Sequence, residues 1–326
     1  MTVTTPDISV AASAPPPVSG RRRRTGAPGT RTIVPYTLLL PAIVLFVLFM
    51  AAPIVYTVVL SFQKSTVEGL GIGPDSRRIE WAGLENFAAV LTSGEFLESL
   101  LRMLVYGLIL VPVVLGLAML FALLLDSPRS RGRRFSRVAI FLPFAVPGVI
   151  SSLLWGFLYL PGVSPINDIA SFFGVSLPDP LSPDLVLFSI ANIGLWGGVG
   201  FNMVIIFTAL RSIPTEIYEA ARIDGASETQ IALRIKVPLV IPSIIMTSLF
   251  SIVATVQVFT EPTVLRPLST SISSSWSPLM IVYRDAFIRD DIYASAATSI
   301  VLALGTFALS FLFLRVVQRR AFSQES

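Results

Sequence analysis

Long uncharged, apolar stretches alternate with short polar and charged ones along the chain. Six of these stretches reach the roughly 20 residues that a helix needs to cross the hydrocarbon core of a bilayer. Proline and glycine accumulate after about residue 160, so the helix in the third stretch is expected over about residues 138–160. The pattern predicts six membrane-spanning helices, in residues 33–63, 103–125, 138–167, 185–210, 237–260 and 292–314.

The composition also indicates a membrane protein. Hydrophobic residues make up 53% of the 326 positions and charged residues only 13%, which is outside the range of soluble domains. The sequence contains no cysteine and no histidine, which excludes disulfide frameworks, Cys/His metal sites and histidine acid–base catalysis. We therefore expect no catalytic residue, no metal site and no cofactor.

Two further kinds of chemistry are missing from the sequence. Neither of the two lysines, Lys64 and Lys236, follows a glycine, so no phosphate-binding loop of the GxxxxGK[ST] type exists. The six uncharged stretches also lack the buried ionisable groups of a proton relay. The chain therefore cannot bind ATP through such a loop, and it does not resemble a proton-coupled carrier.

The positions of lysine and arginine predict the orientation in the membrane. Of the 24 basic residues, 17 lie before the first stretch, after the sixth, or in the second–third and fourth–fifth connections. Because cytoplasmic loops carry the excess of positive charge, both termini are expected in the cytoplasm. The same distribution accounts for the net charge of +4 without nucleic-acid binding.

The chain is expected to form one membrane domain, residues 33–318, between two cytoplasmic tails. Residues 1–32 are rich in Ala, Pro, Ser and Thr around an arginine cluster, so we expect disorder there. Residues 319–326 form the second tail. A cleaved signal peptide is disfavoured because the first uncharged stretch is about twice as long as a signal-peptide core. The predicted class is an all-α polytopic membrane protein.

A charged segment, EAARIDGASETQIALRIKVP at residues 219–238, separates the fourth and fifth apolar stretches. Ser212 and Pro214 have the spacing of the cap and first turn of a short helix that runs through Glu219. Gly225 can adopt the positive φ that ends such a helix. The first half of the segment therefore predicts a short helix and a sharp turn.

The second half of the segment predicts another short helix. Ser227 and Gln230 have capping-box spacing, and Pro238 ends the helix before the fifth apolar stretch. Two short helices anchored at both ends to membrane spans form a rigid helix-turn-helix elbow on the cytoplasmic face. Such an elbow can receive a push from a soluble partner and transmit it to the spans.

This elbow resembles the EAA loop of the permeases of bacterial ABC importers. IDGAS at 223–227 and PLVIP at 238–242 are similar to the carbohydrate-uptake branch of that family, the maltose and glycerol-phosphate type. GLENF at 83–87 is similar to an outer-loop motif of the family, and YASAATS at 293–299 to the entry of its last helix. The resemblance covers about residues 35–318 and rests mainly on Glu219, Ala220, Ala221, Gly225, Ile235, Val237 and Pro238.

The resemblance implies a permease subunit in the bacterial plasma membrane that moves a sugar or related polyol into the cytoplasm. A second, homologous permease subunit would complete the path, two ATP-binding cassette ATPase subunits would dock beneath it, and an extracytoplasmic solute-binding protein would deliver the solute. Glu219 would pair with a basic residue of the ATPase, and Gly225 would form the turn. The ATPase-coupling residues within 213–238 would be Glu219, Ala220, Ala221, Asp224, Gly225 and Pro238.

A stand-alone channel or secondary carrier is the alternative function. Transport that persists without ATPase subunits would favour this alternative, whereas an importer permease requires them. Nucleic acid is not expected as a partner of either.

The solute path is expected to present amides, hydroxyls and aromatic rings, because sugars offer hydroxyls and apolar ring faces. The fourth stretch supplies such residues among glycines that permit close helix approach, and the fifth adds more. Small and polar residues also mediate helix packing in membrane bundles, so packing is the alternative role at each position. The candidates are Asn192, Trp196, Asn202, Ser251, Thr255 and Gln257.

Overall fold

The computed structural model describes residues 33–67, 77–127 and 132–322, in two units that divide after Ile54. The predicted tail 1–32 and the last four residues of the predicted tail 319–326 lie outside the described residues. In the first unit, the large apolar side chains from Tyr36 to Met50 are exposed. This unit consists of α1 (Ile33–Phe46), a π-helical segment (Val47–Ala51) and the start of α2 (Ala52–Ser61).

The second unit begins at Val55, within α2, and contains the remaining elements. Two strands, β1 (Gln63–Val67) and β2 (Arg77–Trp81), follow α2. A π-helical segment (Ala232–Lys236) precedes α11, and a 3-10 turn (Arg266–Leu268) follows α13. The helices are α3 (Glu85–Thr92), α4 (Gly94–Asp126), α5 (Arg133–Ala145), α6 (Gly148–Tyr159), α7 (Pro165–Phe172), α8 (Val186–Arg211), α9 (Thr215–Ile223), α10 (Glu228–Ile231), α11 (Val237–Leu239), α12 (Ile241–Val256), α13 (Thr260–Leu265), α14 (Pro278–Phe287) and α15 (Ile292–Phe322).

The apolar stretches of the sequence coincide with the long helices. In the described part of the chain, five segments are long and apolar enough to cross a membrane, and the pair α5 and α6 provides a sixth if it is counted as one span. The five segments are Tyr36–Ser61, Gly94–Asp126, Val186–Arg211, Ile241–Leu268 and Ile292–Val317.

The expectation of one helix over 138–160 is wrong, because α5 and α6 meet at a bend of 95°. Pro147 has no N–H to continue the helical hydrogen bonds, and its ring disfavours helical geometry in the residue before it. Val146 is accordingly extended, with φ −78° and ψ 127°. The third apolar stretch is therefore two helices with a sharp bend between them, and residues on both sides of the bend line the cavity described below.

The described chain is mostly helical, as expected, and it adds one small antiparallel sheet that the sequence did not predict, in which β1 pairs with β2 and Gln63 lies opposite Trp81. The Trp81 ring stacks on Phe62 at 5.5 Å between centroids. Asn86 fixes the base of the sheet: its Nδ2 donates to the carbonyl oxygens of Ser61 (3.0 Å) and Gln63 (2.7 Å). The strands are polar and short, so they lack the apolar alternation that predicts strands from sequence.

The helices α4 and α8 form the centre of the second unit. Ala118 and Ala122 of α4 are fully buried in one cluster with Met203 and Ile206 of α8. Such small side chains let two helices approach closely in a membrane. At Gly200, α8 approaches α5 so closely that an added Cβ would fall on the Ile140 carbonyl oxygen and 2.8 Å from the Phe141 Cα.

An ion-pair cluster joins the first turn of α4 to α14. The Arg284 guanidinium contacts the carboxylates of Glu95 (2.7 Å) and Asp285 (2.9 Å). Nearby, the Arg102 guanidinium donates to the carbonyl oxygen of Trp276 at 2.8 Å and lies 5.7 Å from the centroid of its ring. These contacts hold one end of the helix bundle together.

Candidate functional site

A cavity of about 420 Å³ lies among α4, α5, α6, α8, α12 and α13, beside the bend between α5 and α6. The rings of Phe144 and Phe201 form part of its wall and stack at 4.9 Å between centroids. Gly197 opens space on α8, since a Cβ there would meet no atom within 4 Å. The polar side chains of the lining are those of Tyr106, Ser151, Asn202, Ser251, Thr255 and Glu261.

Three of the six path candidates meet in this cavity. Asn202 donates through Nδ2 to the Gly198 carbonyl oxygen at 2.9 Å, and its Oδ1 accepts from the Ser251 hydroxyl at 3.4 Å. The Thr255 hydroxyl donates to the Ser251 carbonyl oxygen at 2.8 Å. Amide and hydroxyl groups from α8 and α12 thus converge on one wall of the cavity.

The other three candidates lie elsewhere. Asn192 donates to the Tyr159 hydroxyl at 3.0 Å. Trp196 packs edge-to-face against Trp155 at 6.2 Å. Gln257 is exposed at the end of α12. None of these three lines the cavity.

Glu261 is a cavity residue that sequence reasoning missed. The hydropathy pattern predicts that the fifth apolar stretch ends at Thr260, because the next residue is charged. In the structure, α12 ends at Val256 and, after a short break, α13 continues the same apolar span through Glu261 to Leu265. The apolar residues that resume after Glu261 were the available signal.

The elbow has the turn that the sequence predicts. Gly225 has φ +82°, in the left-handed region that favours glycine. The N–H groups after α9 close the helix: Asp224 donates to Ala220 at 3.0 Å, and Ala226 donates to Ala221 at 2.9 Å. This geometry satisfies the free carbonyl groups at the end of α9.

The capping box of the second elbow helix is confirmed. The Gln230 N–H donates to the Ser227 hydroxyl at 3.3 Å, and the Ser227 N–H donates to the Gln230 side chain at 2.7 Å. Across the turn, Arg222 contacts Glu228 at 2.9 Å, and this hydrogen bond raises the pKa of Arg222. The exposed turn is therefore held by local polar contacts.

The expected role of Ser212 as the cap of the first elbow helix is wrong. Its hydroxyl donates to the Ala209 carbonyl oxygen at 2.7 Å and so closes the end of α8. Pro214 precedes α9 with no side-chain cap. Proline at this position suits a helix start because its fixed φ is near the helical value and the missing N–H would have no partner there.

The predicted coupling residues lie mostly on the surface of the elbow. Ala221 is half-buried, whereas the others are exposed. Apolar side chains are exposed beside them, including Ile223, which is 86% exposed, Ile217 and Leu233. A surface that combines exposed apolar side chains with charges is typical of a protein interface. The exposed coupling residues are Glu219, Ala220, Asp224, Gly225 and Pro238.

A buried ion pair, also missed from the sequence, joins the elbow to α4. Lys236 Nζ lies 2.5 Å from Asp126 Oδ2, and each side chain is only 6% exposed. The same ammonium group lies 4.7 Å from the centroid of the Tyr218 ring, within range of a cation–π interaction. Burial, and next the charge of Asp126, raises the pKa of the Tyr218 hydroxyl.

This three-residue contact ties the elbow to the end of a long helix. Asp126 is the last residue of α4, Tyr218 lies in α9 and Lys236 ends the π-helical segment. The partners Asp126 and Lys236 are 110 residues apart, so no local spacing pattern could pair them.

Comparison with known proteins identifies the family. Residues 86–322 match the family model described as the inner membrane component of binding-protein-dependent transport systems. The chain belongs to this family. It is therefore a membrane-embedded transport component and not an enzyme, as the motifs of the sequence implied. A free-standing channel or secondary carrier does not fit a component of a binding-protein-dependent system.

Curated relatives match over nearly their whole length. The sn-glycerol-3-phosphate transport system permease protein UgpA of Salmonella typhimurium strain LT2 is 27% identical over 88% of this chain and 95% of its own. UgpA of Agrobacterium fabrum strain C58 is also 27% identical, over 88% of this chain and 96% of its own. These relatives support the carbohydrate-uptake branch that the IDGAS and PLVIP segments indicated.

A solved structure shares the fold. A chain of a bacterial ABC transporter involved in the import of the acidic polysaccharide alginate superposes with a TM-score of 0.75. It is 21% identical to this protein, over 88% of this chain and 95% of that one. The likeness confirms the fold of an ABC-transporter membrane subunit.

Proposed function

We propose that this chain is the permease subunit of an ATP-driven importer that moves a sugar or related polyol into the bacterial cytoplasm. The cavity is the observation that carries the proposal. Hydroxyls and amides, which can bond the hydroxyls of a sugar, converge there beside the stacked rings of Phe144 and Phe201, which suit an apolar sugar face. Relatives named for glycerol-phosphate and alginate transport support the same class of solute.

The proposed subunit crosses the membrane six times, with both termini in the cytoplasm. The five long apolar segments and the bent pair supply enough helix for six spans, and the distribution of lysine and arginine supports the orientation. A second, homologous permease subunit completes the solute path.

The proposed subunit works with two ATPase subunits and an extracytoplasmic solute-binding protein. The alginate transporter has been solved in complex with an alginate pentasaccharide-bound periplasmic protein, which supports a partner of this kind here. The ATPases dock on the elbow, where Glu219 and the apolar side chains of Ile217 and Ile223 are exposed. The Lys236–Asp126 pair then passes movement of the elbow to α4.

Uptake by the reconstituted complex tests the proposal. The solute is first identified by a thermal-shift screen of the cognate binding protein against sugars and polyols. Proteoliposomes with both permeases, the ATPases and the binding protein are then expected to accumulate the labelled solute only with ATP. Uptake that persists without the ATPase subunits, or a binding protein that recognises no sugar or polyol, would contradict the proposal.

Two alanine variants test the solute path. Asn202→Ala removes the amide that joins α8 to α12 at the cavity wall and is expected to raise the half-saturation for uptake, with ATPase retention unchanged. Gln257→Ala is the matched comparison, because Gln257 is a path candidate outside the cavity. If Asn202→Ala leaves uptake kinetics at the wild-type values, its role is packing.

A further inference from the structure

The cavity contains a single charged side chain. Glu261 is the one Asp, Glu, Lys or Arg among the described residues that line it; the other polar groups are hydroxyls and the amide of Asn202. The carboxylate is partly buried, at the start of α13. Its position in the lining places this group within the electrostatic reach of a solute in the cavity.

The Glu261 carboxylate has no basic partner within the part of the chain that the structure describes. Among the residues that the structure describes, none forms an ion pair with Glu261, whereas the carboxylates of Asp126, Glu95 and Asp285 all have cationic partners. A charge without a partner in a cavity of low polarity acts over a longer distance than one in water, because the surroundings screen it less. When it is ionised, Glu261 is the one negative group among the described residues that line the cavity, and it then sets the electrostatic character of the cavity.

A carboxylate in this place favours some solutes and disfavours others. Its two oxygens accept several hydrogen bonds and donate none when ionised, so they match the hydroxyl donors of a polyol. A solute carboxylate or phosphate would place a second negative charge beside it, and two like charges without a counter-ion repel. Specificity often depends on such an unfavourable contact with the wrong ligand as much as on favourable contacts with the right one.

We infer that Glu261 determines specificity: it restricts the cavity to uncharged polyhydroxylated solutes and rejects anionic ones. The inference rests on the proposed function and narrows its substrate class. The inferred cargo differs in charge from the cargo in the names of two similar proteins, sn-glycerol 3-phosphate and the acidic polysaccharide alginate.

Direct binding of solutes to the assembled transporter tests the inference. The binding protein is left out, so its own selectivity does not affect the result. The complex of both permeases and the ATPases is purified in nanodiscs and titrated with matched neutral and anionic probes. The pairs are glucose with glucuronate, galactose with galacturonate, and glycerol with sn-glycerol 3-phosphate. The wild type is expected to bind the neutral member of at least one pair about tenfold or more tightly than the anionic member.

Two substitutions at Glu261 separate its charge from its shape. Glu261→Gln removes the charge and keeps the size, and it is expected to bring the affinities of that pair to within about threefold of each other. Glu261→Asp keeps the charge and is expected to keep the preference. Glu98→Gln is the matched control: it removes an exposed carboxylate of α4 outside the cavity and is expected to leave the preference unchanged. ATPase retention and the thermal transition verify that each variant is assembled.

The outcomes distinguish the inference from the proposed function. If an assembled wild type binds no probe of either kind, the assignment of the cavity to sugars and polyols fails, and the inference fails with it. If neutral probes bind but the wild type shows no preference, or Glu261→Gln keeps the wild-type preference, the proposed function stands and Glu261 does not determine specificity.

Discussion

Lys236 of the elbow and Asp126 of α4 form an ion pair of 2.5 Å in which both side chains are almost completely buried. Removal of one partner leaves an uncompensated buried charge, which typically costs about 3 to 5 kcal/mol. We therefore expect Asp126→Leu and Lys236→Met each to lower the thermal transition of the purified complex markedly. The double variant should be more stable than either single one, because it leaves no unpaired charge.

The exposed pair between Arg222 and Glu228 is the control for that prediction. It lies on the same elbow at 2.9 Å, but both side chains are well exposed, and exposed pairs contribute little. Glu228→Ala is expected to leave the thermal transition nearly unchanged. Equal losses from Glu228→Ala and Asp126→Leu would show that burial of the Lys236–Asp126 pair has no special effect.

The Tyr218 hydroxyl should make the elbow sensitive to alkaline pH. Burial and the charge of Asp126 raise its pKa above the ordinary value of 10. A group whose pKa is raised by folding contributes stability that is complete below the unfolded-state pKa and is lost as pH rises through the folded-state pKa. The loss should therefore begin above about pH 10.

The Tyr218→Phe variant isolates this effect. The hydroxyl has no hydrogen-bond partner among the described residues, so its removal should not destabilise the protein at neutral pH. Thermal transitions of wild type and variant, measured between pH 7 and 11, should coincide at neutral pH and separate above pH 10 with the variant more stable. Parallel curves over the whole range would contradict the prediction.

Gly225 should be required for its backbone conformation alone. An added Cβ would meet no atom within 4 Å, but φ is +82°. A β-branched residue resists such a φ, whereas asparagine tolerates it. Gly225→Val is expected to leave the permease inserted but to uncouple ATP hydrolysis from uptake, and Gly225→Asn should retain coupling. If Gly225→Val retains coupling as fully as Gly225→Asn, the turn can form without glycine even with a β-branched residue.

Glu219 should retain the ATPase subunits through its charge. Loss of one member of a desolvated interface pair costs about 2 to 5 kcal/mol, so Glu219→Lys is expected to reduce co-purification of the ATPase by about tenfold or more. Glu216→Lys reverses an equally exposed charge one turn earlier on α9 and should have a smaller effect. The measurement is the ATPase-to-permease ratio after affinity purification in detergent.

Gly200 should tolerate no larger residue. In Gly200→Ala the new methyl group would lie against the main chain of α5 at Ile140 and Phe141, and overpacking of this kind costs about 1 to 3 kcal/mol. Gly116→Ala is the matched control on α4, where an added Cβ would meet no atom within 4 Å. A lower thermal transition is expected for Gly200→Ala alone. Equal transitions would mean that α5 can shift away from α8.

Several local features of this protein could be predicted from sequence, whereas contacts between distant segments could not. The capping box at Ser227 and the turn at Gly225 depend on residues within a few positions of one another, and both were found. The pairing of Lys236 with Asp126 and the convergence of Asn202 with Ser251 depend on how helices pack, for which a single sequence offers no spacing rule.

Two further errors concern the boundaries of helices. One helix is expected over 138–160 because the residues around Pro147 are uniformly apolar, although the proline itself favours a break. The fifth span was ended at the first charge, which removed Glu261 from the candidates. In both cases hydropathy was given more weight than the local backbone chemistry that decides where a helix stops.

The contact between Asn86 and the base of the β-sheet changes how the GLENF motif should be interpreted. Gly83 of that motif has φ +57°, and Asn86 donates to two carbonyl oxygens of the main chain. Both residues therefore fix the local backbone conformation. Neither lines the cavity. In this protein the motif therefore supports the sheet and takes no part in lining the cavity. Comparisons that aim to sort such permeases by cargo should leave GLENF out and weigh the cavity positions instead.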